Sequence, residues 1–133
     1  MSKVAYITVG LIAVAHVLIL VFEMFLWDKP AGLWAFDMKQ KQGFDKKQKQ
    51  EYATASKSLA ANQGLYNGFL AAGLFWGLRL DTQGAAHGTS VTVFFLCCVL
   101  IAGLYGAATT KKIKILFIQT IPAALALALV CLS

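Results

Sequence analysis

The stretch "KSLAANQGLYNGFLAAGLFWG", residues 57–77, decides how the chain folds. It is apolar enough for a membrane span, yet Asn62, Gln63, Tyr66 and Asn67 stand in its first half. Amides and a phenol in hydrocarbon require hydrogen-bond partners, since no water is there to supply them. Those partners must come from other helices, and the rest of the chain says which.

At 133 residues the chain is one domain. Hydrophobic residues make up 59% and charged residues 14%, an imbalance that excludes an ordinary soluble globule. Between Val4 and Trp27 the ionisable groups besides Tyr6 are His16 and Glu23, and from Thr89 to Thr110 there is no charge. Four segments, about 4–27, 58–78, 89–109 and 113–132, meet the roughly 20 mainly apolar residues that a span takes. The expected fold is all-α: a polytopic bundle of four transmembrane helices, with a helical or interfacial connection over 28–57. The first segment exceeds a signal core of about 7–15 residues and runs into "FEMFLWDKP", so it reads as a retained helix.

Charge placement sets the expected topology. The 28–57 connection carries Lys29, Lys39, Lys41, Lys46, Lys47, Lys49 and Lys57, and the 110–114 turn adds Lys111, Lys112 and Lys114. The opposite side has Lys3 and Arg79, so the cations divide ten against two. By the positive-inside rule the long connection faces the cytoplasm and both termini face out, in a multi-pass inner or plasma membrane protein. Attraction to anionic lipid accounts for the lysines at roughly 1 kcal/mol each, making the bilayer itself the first partner. With one arginine and no recognition motif, the net charge of +6 does not point to nucleic acid.

Within the connection, "DKPAGLWAF" mixes aromatic and turn residues as a headgroup-level segment does. The polar run that follows breaks at Gly43, and from about Asp45 its helix formers extend the second span. That span holds two small-xxx-small pairs, Gly64 with Gly68 and Gly73 with Gly77, on opposite faces. One pair suits packing inside the chain and the other a neighbouring helix or subunit. His87 falls in a short outside turn and reads as a solvated loop histidine. Pro122 should kink the fourth helix or free a carbonyl one turn earlier. Cys97, Cys98 and Cys131 lie inside spans as small hydrophobes, with no zinc or haem spacing, so no metal is expected.

Depth organises the polar residues. Glu23 lies one turn before Trp27 at the cytoplasmic edge of the first span. Asn62, Gln63 and Tyr66 lie one to two turns inside the second, Tyr105 about one turn inside the third, and Gln119 one to two turns inside the fourth. At 1.5 Å per residue these groups share a slab on the order of 6–12 Å inside the cytoplasmic boundary. His16 and Glu23, seven residues apart, fall on one face of an α-helix. Asn62 faces Tyr66, and Gln63 faces Asn67, at i,i+4. An intramembrane carboxyl group is a functional candidate by default, and amide and phenol donors supply its partners. The expected ligand-binding set is therefore Glu23, His16, Asn62, Gln63, Tyr66, Asn67, Tyr105 and Gln119.

At "HVLILVFEMFLW", "LAANQGLYNGFLAAGLFWG" and "AGLYGAAT" the chain resembles the domain of unknown function 1304 family, small integral membrane proteins that are mostly bacterial. The resemblance implies four helices and no assigned activity or cofactor. The architecture is also distantly similar to the membrane-associated eicosanoid and glutathione metabolism proteins. Those are trimers of four-span chains with a thiol-cofactor site near the cytoplasmic leaflet. Their spans carry arginines for glutathione, and these spans carry none.

Three function classes fit the pattern. A cavity open to the cytoplasm and floored by Glu23 would bind or transport a small amphipathic molecule. An accessory subunit would use the glycine faces to pack against partners. An enzyme on a lipophilic substrate would use Glu23 as base, Tyr66 or Tyr105 as acid and His16 as relay. Four short helices offer little interior volume, which favours a homo-oligomer with a shared site.

Overall fold

A computed structural model describes residues 1–35 and 45–133, and all their regular structure is helical. Helix α1 (Lys3–Val21) continues into a π-helical turn, Phe22–Leu26, and a short helix α2 (Pro30–Ala35) follows. The long α3 (Lys46–Thr82) leads to α4 (Gly88–Thr110), a second π-helical turn at Leu116–Thr120, and α5 (Ile121–Cys131). The expected break at Gly43, with Phe36, Lys39 and Lys41, lies outside the described residues.

Local chemistry sets the helix ends. Asp45 caps α3: its Oδ1 accepts from the Gln48 backbone N–H at 2.8 Å, and Gln48 Oε1 accepts from the Asp45 N–H at 2.9 Å. This reciprocal pair satisfies donors that the first turn leaves orphaned. From there α3 runs unbroken for 37 residues, about 55 Å, so the helix expected from Asp45 does continue into the apolar stretch. It stops at Gly84, whose φ of +70° is left-handed. There the Ala85 N–H reaches the Leu80 carbonyl and the Gly84 N–H the Asp81 carbonyl, each at 3.0 Å.

The chain divides into two compact units, Met1–Ala15 with Leu70–Ser133, and His16–Phe69. In the first, four helices share one core: Ala5, Val9, Ile12 and Ala13 of α1, Leu74 and Leu78 of α3, Leu96 and Val99 of α4, and Ala123, Ala126 and Val130 of α5. Small side chains at these contacts let backbones approach closely. Gly73 lies under the Phe95 ring and Gly77 against Thr92, so this pair holds α3 to α4. In the second unit Gly68 packs on Leu20, and Gly64 on Leu20, Glu23 and Met24. Both glycine pairs are thus used inside the chain, each against a different helix, and neither is left over for a partner.

The outward surface is apolar. Ile7, Leu11, Leu18, Phe94, Ile101 and Leu125 are all exposed, which departs from the usual surface of a soluble monomer. Two helical segments, Lys3–Leu26 and Gly88–Thr110, are long and apolar enough to cross a membrane. The expected second and fourth spans differ from this. α3 has the length, but Asn62, Gln63 and Asn67 dilute its apolar run. The last apolar helix, Leu116–Cys131, is shorter than the other two because the Lys111–Lys114 turn takes up the start of the expected 113–132 segment.

Candidate functional site

Glu23 sits in the first π-helical turn, half-buried, where α1 gives way to wider winding. A π turn inserts one residue into the α-helical register, a distortion concentrated at functional sites. It has no compositional signature, and the sequence reading missed it. Because the turn begins at Phe22, the seven-residue register between His16 and Glu23 does not hold as it would on an unbroken α-helix. His16 itself is buried, 3% exposed.

Asn67 Nδ2 donates to Glu23 Oε2 at 3.0 Å and to the Gln63 backbone carbonyl at 3.1 Å. The second bond fixes the amide on its own helix, so that its remaining N–H aims at the carboxyl group. Gly64 makes the approach possible, since its missing side chain leaves room for Glu23 Cβ and Met24. The long-range half of the expected constellation is therefore a carboxyl–amide pair, Glu23 with Asn67, separated by 44 residues of sequence. Asn62 and Gln63 are exposed, and Tyr66 is exposed with its ring edge-on to Phe69, centroids 6.0 Å apart.

One turn beyond Glu23, the turn that follows this segment is joined to α3 by polar links. Trp27 Nε1 donates to Ser56 Oγ at 3.1 Å, Lys57 Nζ meets Asp28 Oδ2 at 3.0 Å, and Gln50 Nε2 reaches the Asp28 carbonyl at 2.9 Å. The hydrogen bond from Lys57 holds the Asp28 carboxyl below its ordinary value of 3.8. A carboxyl depressed in the folded state stabilises it above the unfolded value and loses that contribution as pH falls through the folded one. The melting midpoints of wild type and Asp28→Asn should therefore differ at neutral pH and converge as pH falls below the ordinary carboxyl value and through the depressed folded one.

Tyr105 and Gln119 belong to the other compact unit. Tyr105 is 71% exposed on α4, and Gln119 is half-buried in the second π-helical turn beside Gly103. Here the sequence did carry a signal. Pro122 has no N–H to offer the preceding turn, and the Ile121 N–H bonds to the Leu116 carbonyl, five residues back. Two surface grooves lie on this unit, one of about 470 Å³ lined by residues of α1 and α3 from Tyr6 to Thr82, the other of about 350 Å³ around Lys111. Neither is lined by a residue of the expected polar set.

Residues 10–131 match the model of a family described as Protein of unknown function (DUF1304). The chain belongs to the DUF1304 family. The match takes in Glu23, Asn67, both π-helical turns, α1 from Gly10 onward and the whole of α3, α4 and α5, so the candidate site is part of what the DUF1304 model covers. No curated protein and no solved structure matches the chain. Among the described residues of this DUF1304 protein, no group of three or more His, Cys, Asp or Glu side chains is placed to hold a metal ion.

Proposed function

We propose that this DUF1304 protein is a four-span integral membrane protein of the plasma or inner membrane. In this reading its termini lie outside the cytoplasm, and it binds or transports a small amphipathic molecule at Glu23 near the cytoplasmic leaflet. The apolar outward surface supports membrane embedding, and the ten-against-two cation asymmetry supports the orientation. Helices α3 and α5 would then complete the bundle alongside the two strongly apolar segments. The observation that carries the binding role is the carboxyl group itself. Glu23 stands half-buried, and among the described residues its one hydrogen bond comes from Asn67. Asn67 engages Oε2, which leaves Oε1 to receive a donor from a ligand. Met24 and Leu20, which meet Gly64 beside Glu23, supply apolar surface for the ligand's tail.

The accessory-subunit reading loses its motive, because both α3 glycine pairs are already packed within the chain. A second copy of the chain would instead wall in Glu23 and bring exposed Asn62, Gln63 and Tyr66 into a shared site. The test uses purified protein in detergent, native mass spectrometry, dodecylammonium as probe and dodecanol as uncharged control. A charged donor on Glu23 contributes about 1.5–3 kcal/mol, so Glu23→Gln should weaken dodecylammonium binding tenfold or more and leave dodecanol unaffected. Equal binding of dodecylammonium by both proteins would remove Glu23 from the site.

A further inference from the structure

Arg79 is the chain's one arginine, and it stands where the positive-inside pattern does not explain it. It is exposed near the end of α3, and among the described residues no carboxylate pairs with it. The nearby Asp81 is already engaged by the Met1 amino group at 3.4 Å and by Thr89 Oγ1 at 3.4 Å. Arg79 and Thr82 close one end of the groove between α1 and α3. Tyr6 also lines it, and the rest of its walls are apolar, made by Ile7, Leu11, Val14 and Phe75.

The floor of that groove is Gly10. A Cβ placed there would meet one atom, Leu78 Cδ1, at 4.0 Å, which is ordinary contact. This glycine is therefore not needed to bring helices together, unlike Gly73 or Gly77. Its effect is to leave space, and the groove of about 470 Å³ falls within the roughly 300–1,000 Å³ usual for small-molecule sites. An apolar trough ending in a single unpaired guanidinium has the polarity of one kind of ligand, an acyl chain carrying an anionic phosphate head.

We propose that this groove is a binding site for one anionic phospholipid, whose acyl chain lies over Gly10 and whose phosphate is held by Arg79. The site rests on the membrane reading above but not on Glu23. The guanidinium makes a bidentate contact with phosphate oxygens, and Tyr6 and Thr82 border the chain near the head. Lysine would keep the charge at this position and lose the bidentate geometry.

The experiment places the full chain in nanodiscs of phosphatidylcholine containing one part in five phosphatidylglycerol, then counts co-retained lipids by native mass spectrometry after release into detergent. Wild type should retain phosphatidylglycerol in preference to phosphatidylcholine. Arg79→Gln should reduce that preference about fivefold. Gly10→Phe, which fills the trough without crowding a neighbouring backbone, should abolish retention at an unchanged melting midpoint. Retention of phosphatidylglycerol by Gly10→Phe at the wild-type level would overturn the proposal, as would a wild type with no preference. A protein that stays monodisperse without detergent would overturn the membrane reading beneath it, a separate outcome.

Discussion

Gly77→Leu should lower the melting midpoint by about 10 °C in detergent, whereas Gly10→Ala should leave it within about 1 °C. A Cβ on Gly77 would collide with Thr92 Oγ1 and lie 2.9 Å from the Thr92 backbone nitrogen and 3.1 Å from its Cα. Thr92 cannot give way. It is fully buried, and its hydroxyl is tied to the Gly88 carbonyl at 3.0 Å. The substitution must therefore separate α3 from α4, and overpacking of this kind costs about 3 kcal/mol at the upper end of the usual range. Gly10, with nothing closer than 4.0 Å, supplies the contrast. Differential scanning fluorimetry of the two variants reads both shifts. An equal, small effect from each would mean that the α3–α4 contact is looser than these distances require.

The second large effect falls on the site. Gly64→Leu should lower the melting midpoint and also remove dodecylammonium binding, whereas Glu23→Gln removes only the binding. At Gly64 a Cβ would lie 2.8 Å from Met24 Cγ, 3.0 Å from Glu23 Cβ and 3.1 Å from the Leu20 carbonyl oxygen. The methionine can swing aside, but the Leu20 backbone and the root of the Glu23 side chain cannot. A leucine would push the π-helical turn off α3 at a cost of about 2 kcal/mol and stretch the 3.0 Å bond from Asn67 to Glu23. Gly64→Ala should do the same in smaller degree. Binding that survives in Gly64→Leu at a lowered midpoint would show that the ligand does not need the Glu23–Asn67 pair.

These two glycines show how far the sequence could be read. The i,i+4 spacing of Gly64, Gly68, Gly73 and Gly77 identified close-packing faces, because only backbone geometry is involved. Which helix each face would meet depends on the tertiary arrangement, and spacing says nothing of that. The apolar runs of α1 and α4 were legible because a span is a matter of length and composition. The α3 helix beyond Lys46 was legible from its helix formers, and its cap, Asp45 with Gln48, had a readable pattern that went unused. Glu23 was legible from its depth and Asn67 from its i,i+4 spacing to Gln63, and the two do meet. The π-helical turn that carries Glu23 was not legible, since one inserted residue leaves no periodic trace. Nor was the exposure of Asn62, Gln63 and Tyr66, because an amide near the start of an apolar stretch looks the same whether it faces a neighbour or the outside. The second π-helical turn was half legible, through Pro122.

The most direct test of membrane embedding is the depth of α1. Leu11, Leu18 and Phe25 are all exposed, and each can carry a nitroxide on a single cysteine once Cys97, Cys98 and Cys131 are replaced. Seven residues of helix advance about 10 Å, so the three probes sample different depths. In proteoliposomes, electron paramagnetic resonance should find Leu11 and Leu18 reached by oxygen and shielded from a water-soluble nickel chelate, with Phe25 intermediate near the boundary. A nickel chelate that reaches Leu11 and Leu18 as freely as a soluble control would place this surface in water and contradict the membrane site.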